Sequence, residues 1–447
     1  MAKTSMDPRL LETESIPKLL WQYALPAVIT TLSTSVYNLI DRIFIGHGAG
    51  AMAISGLALS LPIMTFLQAF GTLVGVGAST RISIVLGMKD REWAERILGN
   101  ALFLTVIMWA LLTVLCLAFL EPLLKIFGGS ENTIPYAADY LRIIIPGNIF
   151  ANLSYSFCNI IRASGSPIRS MTIMISGMVL NAILAPIFIF WFDWGIQGAA
   201  IATVIAMFVT AVQTMHFFLK KDAFIRFTRP NLKPAKKIVN NILSIGMSPF
   251  LINLAGSAVA IILNGRLAAK GGDLAVGAYG IVNSYGILFV MFVIGLCQGM
   301  QPIAGYNYGA RKPERVRKVF SLAIKVGTAI TTLGFLLMEI FPRTAANVFT
   351  TDEQLIEITR VGLHYVFLLF PFVGFQIVTT NFFQSIGKVQ LSIFLSLTRQ
   401  VLFLIPSLFI FSALFDLDGV WMATPVADFL SIVVTFIILR MQLKKLK

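Results

Sequence analysis

The chain has 447 residues, of which 57% are hydrophobic and only 13% charged, with 36 Phe and 17 Met. A soluble domain carries about 25% charged residues, so this composition excludes a soluble globular protein and indicates an integral membrane one. The net charge of +14 is divided among short gaps between apolar runs, which points away from nucleic acid as a partner.

A spanning helix needs roughly 20 mostly apolar residues. Twelve runs meet that length, at about 17–45, 51–78, 97–120, 137–161, 168–192, 196–219, 240–268, 275–303, 316–341, 358–385, 391–414 and 419–439. The expectation is an all-α integral membrane fold of 12 transmembrane helices. The polar gaps leave no room for a separate soluble domain. The opening segment, up to Ser15, is polar and mixed in charge. The run that follows is too long for the core of a cleavable signal peptide. Between the sixth and seventh runs, KKDAFIRFTRPNLKPAKK places Lys220, Lys221, Arg226, Arg229, Lys233, Lys236 and Lys237 against Asp222 alone. Further cations sit at 81–96, at 311–318 (RKPERVRK) and in the C-terminal RMQLKKLK. The alternate gaps hold Asp193, Asp273, Asp352, Glu353, Asp416 and Asp418. This alternation follows the positive-inside rule and places both termini in the cytoplasm. Cys116, Cys158 and Cys297 all fall within runs and form no CxxC pair, so no disulfide is expected.

The chain repeats itself at a nearly constant offset. Pro26 in YALPAVITT meets Pro249 in GMSPFLINL, and GMKDREWAER (87–96) meets GARKPERVRK (309–318). NIIRASG (159–165) meets NFFQSIG (381–387), Pro186 meets Pro406, and GAAIATVIA (198–206) meets GVWMATPVA (419–427). The expected organisation is a cytoplasmic segment 1–15, an N-lobe 16–219, a basic cytoplasmic linker 220–239, a C-lobe 240–439 and a tail 440–447. Six spans per half means that both halves enter from the same side. The two six-helix lobes are then related by a pseudo-two-fold axis along the membrane normal, an arrangement of secondary transporters in which one lobe rocks against the other.

Asp41, in SVYNLIDRIFIG, stands in the first run, and the repeat aligns it with Asn264 in IILNGRL. The scaffold therefore does not need a carboxylate at this position. An acid in the hydrocarbon costs a few kcal/mol on insertion scales. Asp41 either pairs with Arg42 near the outer interface, serves as a structural acid, or binds a proton or a metal cation. Oxygen donors that could accompany it in the N-half are Tyr37, Asn38, Asn159, Ser176, Asn181 and Thr203. Tyr37 is one helical turn before Asp41 and shares its face. Among the other intramembrane acids, Asp428 either pairs with Arg399 or acts with it, and Glu339 is expected to pair with Arg343 near the outer end. His216 and His364 are read as structural, and His47 as part of an external turn.

Several chemistries are absent. No GxxxxGK[ST] loop, HExxH, CxxCH or Ser/His/Asp set occurs, so neither direct ATP use nor enzyme catalysis is indicated. GTLVGVGAS (71–79) lies within a membrane run, where its small residues allow close helix packing. The prolines at 26, 62, 146, 186, 249, 302, 371 and 406 lie in or beside spans and are expected to kink some of them. FVMFVIGLCQGMQP (289–302) supplies Phe and Met with Gln298 and Gln301. Together with Asn38, Asn159, Arg399 and Asp428, these two glutamines are candidate lining of an adaptable cleft.

Strings in both halves resemble the multidrug and toxic compound extrusion (MATE) family, in its bacterial branch. They are YNLIDRIFIGHGAGAMAISGLALS, LNAILAPIFIF followed by WGIQGAAIAT, GMQPIAGYNYGARK, and SLTRQVLFLIPSLFIFSALFDLDGVWMATPVAD. The similarity covers roughly residues 15–440. It implies an antiporter of the bacterial cytoplasmic (inner) membrane that admits H⁺ or Na⁺ as coupling ion while cationic or amphipathic organic compounds and drugs leave. No other cofactor is implied, and one chain suffices as a monomer in the lipid bilayer. In similar members the N-lobe cation site uses an Asp on the first helix, an Asn and an Asp on the fifth and a Thr on the sixth. Asp41, Asn181 and Thr203 fit three of these and form the candidate Na⁺ site, whereas the fifth-helix Asp is here Ala185. With one carboxylate in place of two, coupling to H⁺ is favoured over Na⁺. Pro26 resembles the bending point of the first helix. The C-lobe lacks an acid in its seventh span, so a site there would depend on Asp428. The alternative within the same superfamily is a flippase for lipids or lipid-linked saccharides.

Overall fold

The computed structural model describes residues 8–49, 51–220 and 223–444. The ends of the expected N-terminal segment and tail, and Lys221 and Asp222 of the linker, lie outside these residues. The described residues form helices and no strands. Each of the twelve expected spans has a helical counterpart. These are α1 (Ile16–Ala49), α2 (Ala51–Gly87), α3 (Arg91–Ala118), α4 (Ile134–Ala163), α5 (Pro167–Pro186), α6 (Gly195–Leu219), α9 (Pro313–Ile340), α11 (Val389–Leu414) and α12 (Asp416–Leu443), with three more described next. Lys236–Gly309 is 74 residues long, and its backbone leaves the helix at Gly272 (φ 66°, ψ −164°). We label its parts α7 (236–271) and α8 (273–309). A side chain would be strained at that positive φ, so glycine makes the sharp break between two long helices. The tenth span, α10, is two pieces, Glu353–Phe367 and Phe370–Ser385, bent by 50°. Pro371 opens the second piece, where its missing N–H costs nothing.

Several boundaries differ from the sequence expectation, for local reasons. α2 runs on past the expected end, through RISIVLG, because Arg81 does not interrupt its helical pattern. α3 begins at Arg91, where the Asp90 side chain accepts from the Trp93 amide at 2.9 Å, a capping bond that offsets the polar start. His47 is not in an external turn. It lies in the last turn of α1, with its ring Nδ1 2.9 Å from the Ile43 carbonyl. Pro186 is followed by a π-helical turn at Ile187–Trp191, and a second π-helical stretch, Thr398–Leu404, precedes Pro406. Both sit at the aligned prolines, where the ladder must shift by one residue.

The chain divides into two compact units. The first contains the described residues up to Thr13 and Ile29–Phe250. The second contains Glu14–Val28 and Leu251 onward. The two intrahelical boundaries, after Val28 and after Phe250, are separated by the same offset as the repeat. Each boundary follows an aligned proline, Pro26 or Pro249.

In the first unit α4 is the central helix, packed on α2 and α6. Leu67, Leu112, Tyr140, Leu141, Ile144, Ala185 and Ala199 belong to its apolar cluster. The small residues of GTLVGVGAS allow the expected close approach. A Cβ on Gly75 would stand 2.7 Å from the Ser156 Cα, and one on Gly77 would stand 2.1 Å from the Ile242 carbonyl oxygen. The reciprocal position is tighter still, since a Cβ on Gly246 would lie 1.7 Å from the Leu73 carbonyl oxygen. Gly246→Ala should therefore destabilise by about 1–3 kcal/mol from overpacking, less up to ~1 kcal/mol of gained helix propensity. A lower unfolding midpoint of the purified chain in detergent is the expected reading. In the second unit, Phe289, Phe367, Phe370 and Trp421 are members of the core cluster, and α8 meets the start of α1 at Gly295 against Val28 and Gly299 against Ala24.

The linker is tied to the first unit. The buried Asn100 on α3 donates from Nδ2 to the Lys233 carbonyl at 3.2 Å and accepts the Ala235 amide at 2.8 Å. Lys237 lies over the Trp93 ring and Arg91 over Phe224. The pairing expected for Glu339 is corrected. Glu339 meets His364, at 2.8 Å from Oε1 to Nδ1, and Arg343 pairs with Glu353. The first piece of α10 offers two different turns, at Glu353 and at His364, to Arg343 and Glu339, so sequence nearness did not decide the partners.

Candidate functional site

Asp41 lies on α1 eight residues before the helix ends at Ala49, about 12 Å along the axis. Its Oδ1 is buried. The Arg42 side chain lies outside the described residues, so pairing of the two neighbours has no geometry to report. Tyr37, one turn earlier on the same face, is within electrostatic range of Asp41.

Thr203 is the pivot. It is 4% exposed on α6, and its hydroxyl donates to the Ala199 carbonyl at 2.9 Å. A threonine hydroxyl has one proton, so that bond leaves Thr203 Oγ1 as an acceptor toward everything else. Asn181 on α5 accordingly presents its amide nitrogen, with Nδ2 donating to Thr203 Oγ1 at 3.0 Å. That bond turns the Asn181 carbonyl oxygen away from Thr203. What results is one half-buried carboxylate, its Oδ1 buried, with the half-buried Tyr37 one turn away on the same face.

A further group, not singled out from the sequence, joins the set. Tyr140, 2% exposed on α4, is within electrostatic range of both Asp41 and Tyr37. Only the packing of α4 at the centre of the unit brings it there. The sequence signal was one of two tyrosines in PYAADYLRIII, which does not say which way the helix faces.

Ala185, where the family resemblance implied a second acid, lies one turn after Asn181. It is fully buried in the apolar cluster that also contains Ile45, Ile189 and Ala199. Among the described residues, no three His, Cys, Asp or Glu side chains come together as a metal site would require.

The remaining candidates are placed as follows. Asn38 is exposed on α1. Ser176 bonds its own helix at Ile173 and the Gln213 side chain at 3.1 Å. Asn159 is more than five turns from Tyr140 on α4, about 28 Å along the axis, and is not part of the cluster. Its Nδ2 donates to the Tyr155 carbonyl, and its Oδ1 accepts from the buried Arg162 at 3.2 Å. Pro26 is buried within α1. Gln298 and Gln301 are half-buried on α8 in the second unit. Arg399, in the π-helical stretch of α11, donates from Nε to Asp428 Oδ1 on α12 at 2.6 Å, with Asp428 only 2% exposed. Tyr279 is within electrostatic range of that pair.

A buried ionisable group set among neutral oxygens, inside a bundle of spanning helices, is the form taken by intramembrane ion and solute sites of transport proteins. The MatE family model matches residues 26–187 and 245–410, one segment in each half, and the chain belongs to that family of membrane transporters. Multidrug export protein MepA of Staphylococcus aureus strain MSSA476 is 28% identical over 424 residues, covering 94% of this chain and 93% of that one. A MATE crystal structure in the bent conformation superposes with a TM-score of 0.94 at 25% identity, and the outward-facing conformation of a multidrug resistance MATE family transporter of the MOP superfamily with 0.91 at 25% identity. Both likenesses cover 99% of each chain.

Proposed function

We propose that this chain is a cation-coupled antiporter, driven by H⁺ in preference to Na⁺, that exports cationic or amphipathic organic compounds by alternating access. One observation carries the choice of ion. The candidate site holds a single carboxylate, Asp41, whose Oδ1 is buried, and Ala185 occupies the position of the second. One carboxylate with neutral donors can be neutralised by one proton, whereas Na⁺ held by one charge gains less from the same burial. Protonation of Asp41 from outside removes its demand for polar contacts and favours bending of α1 near Pro26. Deprotonation on the cytoplasmic side resets it. Coupling requires that proton and drug favour different states.

The export of drugs rests on the family and on the likeness to multidrug exporters, together with the Phe- and Met-rich sequence of α8. The charge alternation supports a bacterial cytoplasmic membrane location with both termini inside, and the internal duplication supports a functional monomer. The flippase reading would call for several cations lining a cleft, and the second unit's Arg399 is engaged by Asp428.

Ala185→Asp tests the choice of ion. In proteoliposomes, the substitution is expected to raise the response of organic-cation export to a Na⁺ gradient relative to a pH gradient. A native chain that already responds to Na⁺ and ignores pH would overturn the proton reading.

A further inference from the structure

The second unit holds an ion pair that the coupling role of Asp41 does not use. Arg399 stands well inside α11 (Val389–Leu414), about 15 Å along the axis from its start and about 22 Å from its end. Its head is too deep to reach either surface. Of the five N–H donors of a guanidinium, Asp428 engages the one on Nε, at 2.6 Å. Among the described residues, Nη1 and Nη2 make no hydrogen bond, and neither nitrogen is sealed from its surroundings. The Arg399 side chain is 30% exposed, against 2% for Asp428. A pair that only held two helices together would close the fork on both carboxylate oxygens. Here the fork stays open. Ionisable groups at this depth face the bundle interior or a water-filled cavity, and the exposed edge of the guanidinium is placed accordingly.

The fold does not call for this pair. The repeat aligns α11 with α5 and α12 with α6. Beyond Arg169 in its first turn α5 carries no charged residue, and α6 has no Asp, Glu, Lys or Arg. The equivalent helices of the first half therefore form without an ion pair. Arg399 also lies in the π-helical stretch Thr398–Leu404, a rare geometry that is frequent at functional sites. Tyr279 is within electrostatic range of Arg399 and adds a hydroxyl to the neighbourhood.

We infer that the open fork of Arg399 binds the carboxylate of a transported compound, so that the substrates include zwitterionic amphiphiles that carry a carboxylate beside their cationic group. The inference rests on the export reading above. The two Nη groups present parallel N–H donors that match the two oxygens of a carboxylate. Asp428 already balances the guanidinium, so a simple anion would bring an uncompensated charge into the membrane, which is costly. A zwitterion brings its own cation and leaves the site neutral. A lipid headgroup does not reach this depth, near the middle of a hydrocarbon core about 30 Å thick.

The test is equilibrium binding to the purified full-length chain, measured by fluorescence polarisation without any gradient. Rhodamine 110 has a free carboxylate, and rhodamine 123 is its methyl ester on the same ring system. Arg399→Gln combined with Asp428→Asn strands no charge. It is expected to lower the ratio of acid to ester affinity by about tenfold, the worth of a hydrogen bond to a charged group, and to leave ester binding unchanged. If the double variant does not fold, Arg399→Lys decides, since it keeps the charge and loses the planar fork; it should lower the same ratio. An unchanged ratio, with the ester still bound, overturns this proposal and leaves the export reading standing. Displacement of rhodamine 110 but not rhodamine 123 by acetate would mean a free-anion site and would also overturn it. Binding of neither dye overturns both readings.

Discussion

Asp41→Asn is expected to abolish pH-driven export of a fluorescent organic cation from proteoliposomes while leaving the fold intact. The substitution keeps the size of the side chain and removes its charge, so it mimics the protonated state permanently. A coupled carrier of this kind must gain a few kcal/mol from the difference between its two states, typically about 1–3 kcal/mol, or about 5–150-fold in affinity. Removing that difference should bring the gradient-driven rate down by at least about tenfold. Substrate binding should persist, because the Asn181–Thr203 hydrogen bond does not need the charge. Stability should hold or rise, since a carboxylate in hydrocarbon is costly and an amide is cheaper. The aligned Asn264 in the other half already illustrates that an amide is tolerated on this scaffold. Full coupled transport by Asp41→Asn would make the carboxylate structural and refute the coupling role.

The largest loss of stability is expected at Asp428. Its carboxylate is 2% exposed and receives the Arg399 guanidinium at 2.6 Å. Removing one member of a buried pair strands the other, which typically costs about 3–5 kcal/mol, whereas replacing both can be neutral. Asp428→Ala should therefore lower the unfolding midpoint steeply, and Arg399→Leu combined with Asp428→Leu should recover most of that loss. The double variant also separates the two roles open to the pair. If it is stable and transports normally, the pair is structural. If it is stable but its substrate range changes, the pair contributes to recognition.

Much of the fold was readable because membrane helices announce themselves by length and hydropathy, and because a duplication doubles every signal. The breaks were less readable. Gly272 separates two helices with almost no polar spacer, and the bend of α10 shows in the sequence only as a proline after an apolar run. The candidate site was legible where spacing alone decides faces, as for Tyr37 and Asp41 at one turn. Asn181 and Thr203 stood among several oxygen donors in the N-half runs, and only the family resemblance singled them out. Tyr140 was hidden because the direction of an apolar helix follows from packing, not from its own sequence. Asn159 fell away for the complementary reason, since α4 is far longer than the cluster is wide. Glu339 found His364 instead of Arg343 because partners at helix ends are set by three-dimensional neighbours.

The division of α1 after Val28 has a consequence for biosynthesis. Glu14–Val28 is synthesised well before the rest of its body, whose remaining residues begin at Leu251. At about 5–20 residues per second, this opening stretch waits roughly 10–45 s before its packing partners exist. During that time it is an unfinished helix in the bilayer, open to insertion machinery and quality-control proteases. A gene split in the 220–239 linker would give two fragments, each carrying a piece that belongs to the other's body. Neither fragment would then mature alone, and co-expression would be the route to a stable protein.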